Sequence, residues 1–321
     1  MSTERTDDRQ PPITPTPSSA SASLATPGAA LAAAGQSAAG MPAPGAAVRT
    51  SHDGLALPRI GFGTYPLKGE EGARVVASAI EQGYRLIDSA FNYENEGAIG
   101  RGIRDSGVDR DEIIVASKLP GRRHEKAQAI VTIEESVLRM GLDAIDLYLI
   151  HWPNPSVDRY VEAWEALIEA CERGLVRAIG VSNFLPEHLE RLERETGVLP
   201  AVNQIELHPR FPQLEQVAFH DERGILTEAW SPLGRRRGVL DDPAIERIAA
   251  AHGATPEAVA LAWQGARGVI PLPKSSDAGR QAANLAAMSI ELSHDEVEAI
   301  SALGRPDGRL ADQDPARYEE M

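Results

Sequence analysis

RLIDSAFNYENEGAIGRGIRDSG, residues 85–107, passes from a short apolar run closing on Asp88 into a loop that carries Tyr93, then into a helix-like stretch with Glu94 and Glu96 at its start. Two further runs close on an ionisable group in the same way: IIVASK (113–118) on Lys118, and DLYLIH (146–151) on His151. Working outward, the same kind of run recurs as RIGFGT (59–64), VRAIGVS (176–182), AVNQIE (201–206), ILTEAW (225–230) and GVIPLP (268–273), each followed by an amphipathic segment. Short apolar runs alternating with amphipathic stretches are the pattern of a parallel sheet with crossover helices. Eight such units predict an α/β chain folded as a (β/α)8 TIM barrel, a scaffold that keeps its reactive groups at the ends of its strands.

The helices carry their own punctuation. Glu70 to Gln82 ends at Gly83, Glu125 to Met140 at Gly141, and Asp158 to Arg173 at Gly174. Ahead of the first run, VRTSHDGLALP predicts a β-hairpin about Asp53-Gly54 that closes the bottom of the barrel, and after the eighth, Gln281 to Ala287 and His294 to Leu303 predict two helices, the second an extra C-terminal one. An open doubly wound sheet is the competing architecture, but no G-x-G-x-x-G follows a strand.

Residues 1–47 read as a disordered tail rich in Ala, Pro, Ser and Gly, because so few aromatic or β-branched side chains cannot offset the cost of ordering the backbone. The barrel domain is expected over 48–321. A net charge of −15 argues against a nucleic-acid surface, which needs a basic face. No apolar run approaches the ~20 residues of a membrane span, and MSTERTDDRQ lacks the basic start of a signal peptide. The single cysteine, Cys171, lies at helical spacing in AWEALIEACERG and reads as core. One cysteine also suits a reducing compartment, so a cytoplasmic protein is expected. No metal site is expected: the histidines are dispersed, and His208 reads as structural.

Asp88, Tyr93, Lys118 and His151 together can deliver a proton. A phenol, with a reference pKa of ~10, is a poor acid at neutral pH unless a cation stabilises the phenolate. Lys118 is the expected cation, Asp88 its partner, and His151 a hydrogen-bond donor to a substrate carbonyl oxygen. Taken singly, each residue has an ordinary alternative: a helix cap for Asp88, a packing ring for Tyr93, a satisfied backbone contact for His151.

The chain resembles the aldo-keto reductases, in particular the bacterial NADPH-dependent group that includes the diketogluconate reductases. The resemblance runs from about Val48 to Asp314 and rests on GFGTYPL, LIDSAFNYENEGAIGRGIR, IIVASKLP, LYLIHWP, GLVRAIGVSNF, NQIELHP, AWSPLG and IPLPKSS, in that order. It implies that Asp88, Tyr93, Lys118 and His151 are the catalytic tetrad. It implies NADPH as cofactor, lying extended across the barrel top and touching Gly63 and Thr64. Ser182, Asn183 and Gln204 would hold the carboxamide, Trp230 would stack on the nicotinamide, and Ser231 and Leu233 would begin the segment over the pyrophosphate. Lys274, Ser275, Ser276 and Arg280 would hold the 2′-phosphate and Asn284 the adenine, while Ala283 departs from the Glu or Gln usual in relatives. The loop GRRRG adds Arg235 to Arg237 as candidates for phosphate or acidic-substrate contact, with a solvated basic patch as the other reading.

The same resemblance implies that Tyr65, Asn92 and Trp152 line the substrate pocket, which would be mixed in character and suited to a small carbonyl compound, including sugar-derived ones. The short segment WPNPSVDRY after His151 suggests a shallow, open site. The resemblance also implies a monomer. Two rival functions stand beside the reductase: an NADPH-binding sensor subunit with little turnover, and an aldolase or isomerase barrel in which Lys118 forms a Schiff base. A lysine paired with Asp88 stays protonated, which argues against the latter.

Overall fold

A computed structural model describes residues 48–320 apart from Arg237, so the expected tail over 1–47 lies outside the described residues. Strands β1 (Val48–Thr50) and β2 (Ala56–Pro58) pair antiparallel with Val48 opposite Pro58, which is the expected hairpin. Strands β3 (Phe62–Gly63), β4 (Leu86–Asp88), β5 (Ile114–Leu119), β6 (Ile145–Ile150), β7 (Val176–Ser182), β8 (Val202–Glu206), β9 (Leu226–Trp230) and β10 (Ile270–Pro271) form one eight-stranded sheet in chain order, each strand parallel to the next. Backbone hydrogen bonds from Gly61 N to Pro271 O (3.0 Å) and from Gly63 N to Pro273 O (3.1 Å) join the last strand to the first and close the barrel. That seam needs glycine: a Cβ on Gly63 would lie 2.9 Å from the Leu272 carbonyl oxygen.

Helices α1 (Gly69–Glu81), α2 (Glu96–Asp105), α3 (Lys126–Met140), α4 (Tyr160–Glu172), α5 (Pro186–Thr196) and α6 (Leu214–Arg223) follow β3 to β8 one by one. After β9 come two helices where the sequence reading expected one segment, α7 (Pro243–Ala251) and α8 (Pro256–Ala266). The break lies at Gly253 to Pro256, where Thr255 caps α8 by accepting from Ala258 N at 3.2 Å. Helices α9 (Ala278–Ala286) and α10 (His294–Ser301) complete the ring and supply the extra C-terminal helix.

Strand side chains alternate between the barrel interior and the helix layer. Leu86, Ile114, Ala116, Leu147, Leu149, Val202 and Leu226 face inward, joined from below by Leu57 of the hairpin, which thus plugs the barrel as expected. Ile87, Val115, Tyr148, Ile150 and Val181 face outward and pack on the helices, among whose side chains Cys171 is buried. Burial pushes the Cys171 thiol up to about 11, as an inert core thiol requires. Each fully buried Leu or Ile stabilises the fold by about 2 kcal/mol.

The same two-residue period fixes the chemistry. Counting in twos from the inward Leu86 reaches Asp88, from Ile114 and Ala116 reaches Lys118, and from Leu147 and Leu149 reaches His151. On the opposite wall it reaches Gln204 from Val202 and Glu228 from Leu226. Apolar side chains fill the lower layers of the barrel, and polar ones occupy the layer at the carboxyl ends of the strands.

Candidate active site

Lys118 is fully buried, and its ammonium donates to Asp88 Oδ1 at 2.5 Å and to the Ser89 carbonyl at 2.7 Å. Burial works to discharge it, but Asp88 and Tyr93 outweigh burial and raise its pKa, so the lysine stays a cation. A lysine held this way is a source of positive charge and a poor nucleophile.

Tyr93 is carried by a single 3-10 turn, Phe91–Tyr93, after β4. The turn is fixed from beneath. Ser89 Oγ donates to Asn95 Oδ1 at 2.7 Å, Asn95 Nδ2 donates to Thr64 Oγ1 at 3.1 Å, and the buried Glu96 at the start of α2 accepts from Ser117 Oγ at 2.6 Å. The Lys118 ammonium lies 5.3 Å from the centre of the Tyr93 ring, so its charge acts on the phenol. The Tyr65 and His151 rings flank it at 5.1 and 5.9 Å.

The expected acidification of this phenol is not found. Burial raises the Tyr93 pKa, the charge of Lys118 opposes it, and Asp88 and Glu320 add to the rise, so the net shift is upward. The residue is part-exposed through the cavity, yet desolvation of the phenolate still outweighs the attraction of one ammonium that Asp88 already neutralises. The group therefore holds its proton through neutral pH and can give it only to a stronger base.

Behind this pair lies a second carboxylate. Gln204 Nε2 donates one proton to Asp88 Oδ1 at 2.9 Å and the other to Glu228 Oε2 at 2.8 Å. Both N–H groups are thereby used, which leaves Oε1 as the amide atom that can serve the cavity. Burial pushes the fully buried Glu228 up to about 7, with Asp88 acting in the same direction.

Asp88, Tyr93 and Gln204 open onto a cavity of about 950 Å3. Asp88, Tyr93, His151, Tyr65, Asn92 and Trp152 line it, together with Gly63, Thr64, Asn183, Gln204 and Trp230. Asn183, at φ 63°, donates to the His151 carbonyl at 3.0 Å and accepts from Trp230 Nε1 at 2.8 Å, so one amide holds both a strand end and the indole. Ser231, Leu233 and Arg235 continue the wall, with Arg235 Nε donating to Ser231 Oγ at 3.1 Å. Lys274, Ser275, Ser276, Arg280 and Asn284 line the remainder. Two cations with two hydroxyls fit a phosphate, a half-exposed indole fits a flat ring, and an amide oxygen with an adjacent amide fits a carboxamide. The donor set suits a phosphorylated nicotinamide dinucleotide.

Two expected site residues do not line the cavity. Lys118 is fully buried, bonded to Asp88 and the Ser89 carbonyl. Ser182, expected at the carboxamide, is 1% exposed, and its hydroxyl is taken, donating to the Gln204 carbonyl at 2.8 Å and accepting from Asn183 Nδ2 at 3.0 Å. Of the Arg235 to Arg237 loop, Arg235 reaches the cavity, while Arg237 is outside the described residues. His208 is buried, its Nε2 3.1 Å from Glu206 Oε1. Among the described residues no His, Cys, Asp or Glu cluster has metal-binding geometry.

The chain end was missed altogether. Gln313, Tyr318 and Glu320 form part of the cavity wall, so the site is not left open on the side of the short segment after His151. Tyr318 packs on Trp152 at 4.5 Å, and Glu320 Oε1 lies 2.8 Å from His151 Nδ1, without the alignment of a regular hydrogen bond. Nothing in PARYEEM marks it as part of a site. Glu228 did leave a sign, an acidic residue in mid-strand at the parity of the inward positions.

Residues 59–305 match the model of the Aldo/keto reductase family. The chain is 53% identical over 270 residues to 2,5-diketo-D-gluconic acid reductase B of a Corynebacterium species, covering 84% of this chain and 97% of that protein. It is 38% identical over 267 residues to the methylglyoxal reductase DkgA of Escherichia coli, covering 83% and 96%. Among solved structures, a variant of Gox0644 in complex with NADPH superposes with a TM-score of 0.80 at 42% identity, covering 84% of this chain and 98% of that one.

Proposed function

The chain belongs to the aldo/keto reductase family, and from that premise we propose that it reduces a small aldehyde or ketone, sugar-derived carbonyls included, to the alcohol with NADPH. The observation that carries the residue assignment is the buried Lys118–Asp88 pair beside Tyr93, on a cavity whose wall also carries Lys274, Ser275, Ser276 and Arg280.

When bound, NADPH supplies a hydride to the carbonyl carbon. This chain's residues supply the rest. His151 and Tyr93 line the same cavity with their rings 5.9 Å apart and would orient the carbonyl oxygen between them. As negative charge gathers on that oxygen, Tyr93 gives up its hydroxyl proton. An alkoxide is a far stronger base than a phenolate, so transfer runs downhill even from a phenol whose pKa is raised. Lys118 stabilises the phenolate left behind, and Asp88 keeps Lys118 charged and in place.

Toward the cofactor, Gln204 Oε1 and Asn183 would take the carboxamide, Trp230 would cover the ring, and Gly63 and Thr64 would line its bed. Ser231 and Leu233 would follow the pyrophosphate. Lys274, Ser275, Ser276 and Arg280 would bind the 2′-phosphate, with Asn284 on the adenine. Ser182 acts in this reading by fixing Asn183 and the β8 backbone, and Tyr65, Asn92 and Trp152 shape the substrate end. We take residues 48–321 as one domain and the enzyme as a cytoplasmic monomer. Its acidic charge and single cysteine support this, and no helix among the described residues is long and apolar enough to cross a membrane.

The test is NADPH oxidation across a panel of carbonyl compounds, run beside Tyr93→Phe. Turnover that follows the phenol hydroxyl establishes both reaction and proton donor. A protein that binds NADPH tightly and turns over nothing on the panel overturns the reading in favour of a sensor.

A further inference from the structure

Asp88, Glu228 and Lys118 share the polar layer of the barrel, so two carboxyl groups face one ammonium. Asp88 takes it, accepting from Lys118 Nζ at 2.5 Å. Glu228, fully buried on β9, accepts from Gln204 Nε2 at 2.8 Å on Oε2, and its Oε1 has no partner among the described residues. Glu228 stands two residues before Trp230 on the same strand and opposite Gln204 in the β8–β9 register. At ~3.3 Å of rise per residue, it lies roughly 7 Å below the layer of Trp230. Trp230 and Gln204 both line the cavity, and they are the groups assigned above to the nicotinamide ring and its carboxamide. An acid without a counter-ion therefore lies under the bed of the one ring in the site whose charge changes during the reaction.

We propose that Glu228 sets the relative affinity of the site for the two oxidation states of the cofactor, its carboxylate favouring NADP+ and remaining indifferent to NADPH. This rests on the reductase reading of the cavity, which makes Gln204 and Trp230 the nicotinamide bed. The ring of NADPH is neutral, and with its hydride gone it is a cation. A carboxyl group in low dielectric, with no cation bonded to it, is where such a change of charge acts most strongly. Asp88 responds less, because Lys118 already neutralises it. The groups facing Glu228 are Gln204 from β8 and, across the barrel, Asp88 from β4 and Lys118 from β5, while its register partner on β10 is the apolar Ile270. Burial, with Asp88 adding to it, pushes the Glu228 carboxyl up to about 7, against the bond from Gln204 and the charge of Lys118. In the free enzyme at neutral pH the group is divided between acid and carboxylate, and a cation above it draws it to the carboxylate. The step is an ionisation alone: the Glu228 O–H bond breaks, the proton goes to the buffer, and no electron moves. Linkage fixes the sign. NADP+ binding releases a proton near neutral pH and tightens as pH rises through that range, whereas NADPH binding does neither.

The test is titration of the full chain with NADP+ and with NADPH, no carbonyl compound present. The ratio of the two dissociation constants is the readout, because the 2′-phosphate is common to both cofactors and its own titration drops out. Between about pH 6 and pH 8.5 the ratio should move at least about fivefold in favour of NADP+, as two unit charges ~7 Å apart at an effective dielectric of ~20 allow. Calorimetry in buffers of different ionisation enthalpy should count about half a proton released per NADP+ bound near pH 7 and none for NADPH. Glu228→Gln keeps an acceptor for Gln204 and carries no charge, so its ratio should move less than about twofold over the same range. His151→Gln removes the histidine from the cavity wall and keeps Glu228, so its ratio should still move. A flat ratio in the full chain, a dependence that survives in Glu228→Gln, or one that disappears in His151→Gln overturns the proposal. Should Glu228→Gln not fold, the proton count in the full chain and the His151→Gln ratio decide. A chain that binds neither nucleotide overturns the reductase reading, and one that binds both with a flat ratio overturns the role of Glu228 alone.

Discussion

Gln204 Nε2 donates to Glu228 Oε2 at 2.8 Å, while its second proton goes to Asp88, so a buried amide links two carboxylates next to Lys118. The site thus holds more acid than its four strand-end and loop residues suggest. Lys118 answers one carboxylate, and Glu228 is left to take up a proton.

That has a consequence for stability. Glu228 sits at about 7 in the fold, above the ~4.3 of a free glutamate, so the native state holds a proton that the unfolded chain gives up. Its contribution is fully present below pH ~4.3, falls as pH rises toward 7, and is flat beyond. Glu228→Gln removes this dependence. In urea unfolding, the variant's stability relative to the parent should rise between pH 5 and pH 8, by as much as ~3 kcal/mol. A pH-independent difference would show that Glu228 is ionised in the native protein.

Tyr93→Phe should lower carbonyl reduction by ~10²–10⁴-fold while NADPH binding stays close to that of the parent. The parent's phenol, with its pKa raised, remains loaded across neutral pH, so kcat/KM for reduction should fall only in the alkaline range, where the proton is lost. Lys118→Met removes the charge that opposes the rise and should move any surviving alkaline limb to higher pH. Stopped-flow or steady-state pH profiles check this, and a limb displaced to lower pH contradicts the assignment.

Lys274→Ala and Arg280→Ala should each weaken NADPH binding about tenfold or more and leave NADH nearly untouched, since a charge-assisted phosphate contact is worth ~1.5–3 kcal/mol. Fluorescence titration with both cofactors measures it. Equal losses for NADH would mean that these side chains bind something other than the 2′-phosphate.

Replacing Arg235, Arg236 and Arg237 together with alanine should raise the Michaelis constant for NADPH or for an acidic substrate several-fold. Arg235 lines the cavity beside Ser231 and supplies the structural ground for the effect. Unchanged constants would assign the loop to solvent.

Gly100→Ala tests the helix layer apart from the chemistry. A Cβ at position 100 would lie 1.8 Å from the Met140 carbonyl oxygen, so α2 and α3 would have to separate. Loss of ~2–3 kcal/mol in thermal or urea unfolding is expected. A neutral substitution would mean that the two helices have slack at this crossing.

The sequence by itself determined the barrel, the strand ends and the identity of Asp88, Tyr93, Lys118 and His151. Both signals are local: a run of apolar residues declares a strand, and a two-residue period along it declares which side chains face inward. Glu228 was legible by that same parity and was passed over because a lone acid in a strand carries no motif. Tertiary structure alone decided the rest. It turned the Tyr93 pKa upward, because desolvation depends on everything packed around a phenol and not on the nearest cation. It withdrew Ser182 from the cavity, because a hydroxyl takes whichever acceptor the neighbouring strand offers. It split the segment after β9 in two and brought Glu320 to His151 across 169 positions of chain, a pairing with no trace in local pattern.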